Sequence, residues 1–351
     1  MPVYALLILP SSNRVYAASS AALTVAELEL CNDTVLGGRL TDLSITQIAG
    51  VRYVTFSAGR LDDTDVAYLS NVSSIYALFV INGGALQPVE IRPLASFDDD
   101  LITIQKYQGK TNERFTKLLV NVTVLSSAFA AGLSAAPESR LALLDPLCGR
   151  GTTLNQALMY GWDAAGVDHD SKDFEAYSAF IQTWLKNKRI KHHAQSIPVR
   201  RDRRVIARRL KIELATAKSD YKAGLTQHLD VVHADTVSAP DFFRPEAFHV
   251  IVADAPYGVQ HASSAAGKGL ARSPLELLKA ATPGWSRLLK PGGALGLSWN
   301  TLVARREAAA QILAESELEV MDSGPYLRFA HRVDQAIKRD ILVARKPSGT
   351  T

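Results

Sequence analysis

The sequence predicts an α/β protein: a doubly wound, mostly parallel sheet in the last two thirds of the chain, behind a smaller N-terminal α/β domain. Three observations predict it. From Leu141 onward, apolar runs of strand length alternate with helical patterns, and strands joined by crossover helices must pair in parallel. Successive apolar runs end in an acid, at Asp145, Asp168, Asp235 and Asp254. At 351 residues the chain also exceeds the usual size of one domain, which leaves room for a second.

In the large domain the expected strands are Leu141 to Leu147, Ala164 to Asp168, Leu229 to Ala234, Val250 to Asp254, Ala294 to Trp299, Leu318 to Met321 and Ile341 to Ala344. Helices are expected from Thr152, Lys172, Ser273 and Leu302. Ligands should sit at the carboxyl ends of these strands, beside the point where strand order reverses. The first third reads as strand Val3 to Leu9, helix Ala18 to Leu30, strands Ile45 to Ile48 and Val51 to Ala58, helix Thr64 to Val72, and strands Ile75 to Val80 and Leu86 to Ile91. That order, βαββαβ with an added strand, predicts a ferredoxin-like unit. The domain boundary is placed near Asp100, giving an N-terminal domain over 1–100, a helical linker over 101–140 with a helix through Val124, and the large domain over 141–351.

Composition excludes several classes. With 47% hydrophobic and 21% charged residues, the chain can bury enough apolar surface to offset its ordering entropy. The start, Met1-Pro2-Val3-Tyr4, has no basic leader, and no apolar run approaches the roughly 20 residues that span a bilayer. Cys31 and Cys148 match neither a disulfide framework nor a zinc set, so a reducing cytoplasm is expected. His192 and His193 lack cysteine or carboxylate partners at ligand spacing, and no metal is expected. The tryptophans Trp184, Trp285 and Trp299 are read as packing residues.

The segment from Leu141 to Thr153 is an apolar strand ending in Asp145, a turn with Cys148, Gly149 and Gly151, and a helix start at Thr152. Glycines let the backbone approach a ligand and take positive φ, and the free N–H groups of a helix start can face a polar group. A dinucleotide fingerprint would need a third glycine where Leu154 stands. Asp145 would repel a pyrophosphate and suit an ammonium, which the amino-acid end of S-adenosylmethionine supplies. Asp168 is then placed to accept from ribose hydroxyls, and Asp235 from an adenine amine. Taken singly, Asp235 or Asp170 reads equally well as a helix cap; the ordered series of strand-end acids favours the ligand reading.

The fourth strand runs into Asp254-Ala255-Pro256-Tyr257. An exocyclic amine on a base ring is a poor nucleophile because its lone pair is delocalised. The Asp254 carboxylate and the Ala255 carbonyl can accept its two N–H bonds, localising that pair on nitrogen, while the Tyr257 ring stacks on the base and Pro256 stiffens the turn. Asp254 can then take the proton or pass it to water. The small-residue run Ser263 to Gly269 suits either a loop that closes over substrate or a plain connection.

With Asp145-Pro-Leu-Cys-Gly-Arg-Gly-Thr and Asp254-Ala-Pro-Tyr on the page, the last two thirds of the chain resemble the class I, Rossmann-like amino-methyltransferases. The fourth motif of that class reads Asp, Asn or Ser, then Pro-Pro, then an aromatic. More narrowly the chain is similar to the tRNA guanosine-N2 methyltransferases of the THUMP-associated, UPF0020-like group. The segment Lys110 to Thr116 and the tail His331 to Asp340 share in that resemblance. It implies S-adenosylmethionine as cofactor, held by Asp145, Cys148, Gly149, Gly151, Thr152, Asp168 and Asp235 with Phe115 and Thr116. It also implies catalysis at Asp254, Ala255, Pro256 and Tyr257, and an N-terminal module that binds RNA. The departure is Ala255 for the first proline, which keeps the carbonyl and loses one rigid residue.

Between the second and third strands lies a basic insertion, 186–222. It carries thirteen lysines and arginines against Asp202, Glu213 and Asp220. Arg203 to Ser219 is compatible with a helix whose cationic face follows a phosphate backbone, so Arg200, Arg201, Arg203, Arg204, Arg208, Arg209 and Lys211 are candidate RNA contacts. A solvated charged helix is the bland alternative. The sequence therefore predicts a guanine-N2 methyltransferase acting on structured RNA, tRNA first and rRNA second. Rival readings are a DNA adenine or protein amine as acceptor, and an inactive RNA-binding relic.

Overall fold

The computed structural model describes residues 1–10, 14–107, 109–134, 140–255 and 274–349. Its N-terminal part is β1 (Val3–Ile8), α1 (Arg14–Thr34), β2 (Thr41–Ile48), β3 (Val51–Ser57), α2 (Asp63–Ser70), β4 (Ile75–Asn82) and β5 (Ala85–Val89). The strand order is β2-β3-β1-β4-β5, and every neighbouring pair is antiparallel. This is the order of a ferredoxin-like unit, extended at the β4 edge by one strand. Helix α2 starts at a reciprocal cap: Asp62 accepts from the Asp65 N–H at 2.9 Å, and Asp65 accepts from the Asp62 N–H at 3.0 Å.

The single helix expected through Val124 is two helices, α3 (Asp100–Thr103) and α4 (Glu113–Leu125). Asn112 fixes the second start, its side chain accepting from the Arg114 N–H at 2.9 Å. Residues 104–107 and 109–112 lie between them, outside either helix. Helix α4 is seated closely on the large sheet at Gly296, where an added Cβ would lie 1.8 Å from Thr123 Oγ1. Only a glycine lets the helix approach this near.

The large sheet is built from β6 (Ala142–Asp145), β7 (Asp163–Asp168), β8 (Lys191–Arg201), β9 (Arg204–Ala215), β10 (Gln227–His233), β11 (Phe248–Asp254), β12 (Leu289–Asn300), β13 (Glu319–Met321), β14 (His331–Arg332) and β15 (Lys338–Arg345). Helices α5 (Thr152–Met159), α6 (Ser171–Asn187), α7 (Lys218–Lys222), α8 (Pro274–Leu288) and α9 (Arg306–Glu315) connect them. The order is β13-β15-β12-β11-β6-β7-β10-β9-β8, with β14 on β15. The central strands β12, β11, β6, β7 and β10 are parallel. Strand β6 lies between β7 and β11, so the chain reverses its direction of travel across the sheet there.

Alternate residues of the central strands feed opposite layers. Leu143, Val250 and Val252 pack with Leu118, Leu154 and Phe174 of α4, α5 and α6. Leu144, Ile251 and Ala253 pack with Leu278, Trp285 and Leu313 of α8 and α9. Both faces are covered, which is why these strands read as nearly continuous apolar runs. The first layer also takes in Leu23, Leu28 and Leu30 of α1, so the two sheets share one core. A buried polar cluster crosses the same junction. Glu27 of α1 accepts from the Ser73 N–H at 3.0 Å and from Asn121 Nδ2 at 2.7 Å, while Asn121 Oδ1 accepts from the Tyr160 hydroxyl at 2.7 Å.

The helix expected over Arg203 to Ser219 is a β-hairpin instead, β8 against β9. Its period is two: Leu210, Ile212 and Leu214 are buried, and between them Lys211 is exposed and Glu213 half-buried. Dense charge hid this alternation, because the arginines fall on both faces. Asp202 and Arg203 make the turn with φ of 49° and 64°, the mirror-image geometry that suits strand twist. His192 and His193 lie on β8.

Candidate functional site

The strand-end acids meet at the carboxyl edge of the parallel sheet. Asp145 ends β6 with only 3% of its surface exposed. It accepts from the Leu147 N–H at 3.0 Å and from the Thr153 side chain. Burial pushes its carboxyl up to about 7, and the fields of Asp254 and Asp168 push the same way. A buried acid with these neighbours is of a kind that could hold a cation such as an ammonium.

The following turn is fixed by close contacts. The Cys148 N–H donates to the Val167 carbonyl at 3.1 Å and the Gly151 N–H to the Cys148 carbonyl at 2.7 Å. Gly151 caps α5 at φ 77°, and a Cβ there would sit 2.2 Å from the Tyr177 ring. Gly149, at φ 47°, has no atom within 4 Å of where its Cβ would be, leaving an open side for a ligand. The Cys148 side chain turns the other way, onto Gly166, whose added Cβ would meet the Cys148 sulfur at 2.7 Å. Burial pushes that thiol well up, so this cysteine offers a ligand its backbone only.

Asp168 ends β7 and is tied to the turn: Oδ2 accepts from the Gly149 N–H at 2.7 Å and Oδ1 from the Asp170 N–H at 2.8 Å. Burial raises its pKa against those bonds. Each oxygen retains a second lone pair for a ribose hydroxyl. Asp235 follows β10 and does cap a short 3-10 turn, accepting from the Val237 N–H at 2.9 Å. It also lines a groove of about 440 Å³ with His169, Ala234, Val205 and Ile206. Asp170 is a cap for α6, accepting from the Lys172 N–H at 2.7 Å.

Asp254 ends β11, beside β6. Its Oδ2 accepts from the Thr111 hydroxyl at 2.6 Å. The next residue, Ala255, is anchored by its N–H to the Ser298 carbonyl at 2.8 Å. Pro256, Tyr257 and the run Ser263 to Gly269 lie outside the described residues.

Phe115 and Thr116 lie in the first turn of α4. Phe115 is 0% exposed and Thr116 is buried. The Phe115 ring carries the Arg339 guanidinium 4.2 Å above it, and the His331 ring at 5.2 Å. Phe115 is thus a platform for the carboxyl-terminal hairpin. The loop before it supplies what sequence reading missed. Tyr107 bonds the Thr152 hydroxyl at 3.2 Å and receives the Arg150 guanidinium at 4.7 Å from its ring centre, while Arg150 Nε pairs with Asp173 at 2.8 Å. Thr111 falls in the segment Lys110 to Thr116 noted for its resemblance, which was the available signal; Tyr107 lies just before it.

Three of the candidate RNA contacts are committed to acids: Arg209 to Asp230 at 2.6 Å, Arg208 to Glu175 at 2.8 Å and Arg201 to Asp241 at 3.3 Å. Arg200, Arg203, Arg204 and Lys211 are exposed and make no salt bridge among the described residues. The last pair between β9 and β10 is Arg208 with His233, and His233 lies opposite Asp168. The hairpin tip beyond Arg208 therefore overhangs the edge that carries the acids, by about 13 Å for residues 204–207 at strand rise.

Fold and site together define a class I S-adenosylmethionine-dependent methyltransferase. Residues 120–294 match the family model UPF0020, described as RMKL-like, methyltransferase domain, and the chain is a methyltransferase of that class. No curated protein matches the chain significantly. Among solved structures the cyclase SpnF is similar at TM-score 0.39 and 16% identity, over 75% of this chain and 89% of that one. The N-methyltransferase NodS from Bradyrhizobium japonicum scores 0.37 at 14% identity, over 66% and 94%. A TehB-like methyltransferase from Corynebacterium glutamicum scores 0.31 at 14% identity, over 59% and 80%. At such scores these likenesses carry no weight for substrate or mechanism.

Proposed function

We propose that the chain methylates the exocyclic N2 amine of a guanine in structured RNA, tRNA first. One observation carries the reading: Asp254 ends the strand beside the one that Asp145 ends, Ala255 follows directly, and the Asp254 carboxylate is already held by Thr111. S-adenosylmethionine supplies an electrophilic methyl group. Asp145 holds its ammonium, Asp168 its ribose hydroxyls, and the open side of Gly149 admits its backbone-facing edge. Asp254 and the Ala255 carbonyl accept the two amine hydrogens, which localises the nitrogen lone pair along the line of attack. Asp254 is then positioned to take the proton.

Charge supports a nucleic acid and moves the expected contact. The first hundred residues carry five basic and eleven acidic side chains, a poor surface for phosphates. The exposed arginines at the hairpin tip overhang the reaction edge, so we place the phosphate contact there. A flipped base reaches the site at lowest cost from a loop or bulge.

The test is transfer of labelled methyl to unmodified tRNA and, separately, to rRNA, with nucleoside analysis of the product. N2-methylguanosine from the tRNA pool is expected. Label confined to rRNA corrects the substrate; label in neither pool, with S-adenosylmethionine binding intact, contradicts the RNA reading.

A further inference from the structure

Beside Asp254 lies a pocket of about 250 Å³ built from three distant segments: Tyr16 of α1, Lys110 to Glu113 before and into α4, and His331, Arg332, Val333 and Arg339 of the carboxyl-terminal hairpin. Its link to the reacting edge is Thr111, which lines it and donates to Asp254 at 2.6 Å. The Asp254 charge acts on His331 through space.

His331 is 5% exposed. Its Nδ1 lies 2.9 Å from the Phe329 carbonyl, and a carbonyl only accepts, so Nδ1 carries the ring proton and Nε2 the lone pair. Burial, reinforced by Arg339, holds the ring's pKa down to about 4, so the neutral tautomer persists at pH 7. Nε2 is buried and has no hydrogen-bond partner among the described residues. The ring is locked by Phe115 at 5.2 Å and Tyr16 at 6.1 Å. A desolvated acceptor left without a donor is a cost, and such groups call for a functional account.

We propose that this pocket receives the target base and that His331 Nε2 is its specificity-determining acceptor for guanine. The inference rests on the guanine-N2 reading above. Beside its N2 amine guanine carries the N1–H donor, whereas the amines of adenine and cytosine are flanked on that edge by ring nitrogens that only accept. With the amine on Asp254, guanine gives His331 a donor. Adenine or cytosine sets lone pair against lone pair. A base that engages Nε2 supplies the bond this conformation lacks.

The experiment compares wild type with His331→Phe, which keeps the ring and removes the acceptor, and His331→Gln, whose amide oxygen restores one. Methyl transfer to unmodified tRNA and S-adenosylmethionine binding are both measured. A site built to bond a substrate hydrogen loses orders of magnitude without that bond, so His331→Phe should lose at least about 100-fold in kcat/KM. Its cofactor affinity should not change, and His331→Gln should recover about tenfold or more of the loss. Wild-type kcat/KM in His331→Phe, or equal loss in both variants, overturns the assignment. If His331→Phe does not fold, His331→Gln decides: loss of cofactor affinity along with transfer marks a merely structural histidine. Absence of N2-methylguanosine from the wild-type product sinks the parent reading and this one together, whereas N2-methylguanosine made equally by all three proteins sinks this one alone.

Discussion

Thr111 donates its hydroxyl to Asp254 at 2.6 Å across 143 residues of chain. The loop before α4 therefore fixes the orientation of the carboxylate at the end of β11. Because α4 is seated on the sheet at Gly296 and capped by Asn112, the position of Thr111 is inherited from packing made far from the reaction. Thr111→Val keeps the shape and removes the donor. We expect kcat to fall about 10- to 100-fold with the affinity for S-adenosylmethionine unchanged, as misplacement of a catalytic group costs; a kinetic split between kcat and cofactor binding checks it.

If Asp145 holds the cofactor ammonium as proposed, cofactor binding should depend on pH. The folded pKa of Asp145 is raised from 3.8 to about 7, so between those values the folded apo protein holds a proton that the unfolded chain has lost. Stability from this group is fully present below about pH 4 and is lost as pH rises to 7. An ammonium bound beside it favours the ionised form, so binding near pH 6 releases a proton. Affinity should rise up to pH 7 and level off above it, and Asp145→Asn should flatten that dependence. Calorimetry in buffers of different ionisation enthalpy measures the released proton directly.

Gly151 tests the turn. Alanine there must hold φ near 77° with its Cβ 2.2 Å from Tyr177, combining backbone strain with overpacking. A loss of about 2 kcal/mol or more is expected from denaturant unfolding, along with loss of cofactor binding. An unchanged midpoint would show that the turn relaxes.

On the RNA reading proposed above, the hairpin tip is the expected phosphate contact. Replacing Arg200, Arg203 and Arg204 together by alanine should weaken binding to all RNAs alike and reduce the slope of log affinity against log salt by about 2 to 3. S-adenosylmethionine binding should not move. A variant with the wild-type salt slope would place the phosphate contact elsewhere.

What could be read in the sequence follows from where the physics is local. Leu143, Leu144 and Val250 to Ala253 read as buried strands because both faces of a parallel sheet are covered, and Asp145, Asp168 and Asp254 stood out where those runs end. The ferredoxin-like order of the first third was legible from strand lengths and two helical patterns. The hairpin was not, since arginines at Arg208 and Arg209 fill both faces and mask the alternation of Leu210, Ile212 and Leu214. The packing of Phe115 under Arg339 was not legible either, since it depends on a hairpin more than 200 residues away. Thr111 and His331 owe their roles to tertiary contacts with Asp254 and Phe329 that no local pattern announces.

The most direct measurement of the account sets wild type beside Asp254→Ala and follows S-adenosylmethionine binding and labelled methyl transfer to unmodified tRNA in the same preparations. The account predicts equal cofactor affinity, N2-methylguanosine from the wild type, and a rate lower by about a thousandfold or more in the variant. Transfer by Asp254→Ala at the wild-type rate would contradict it.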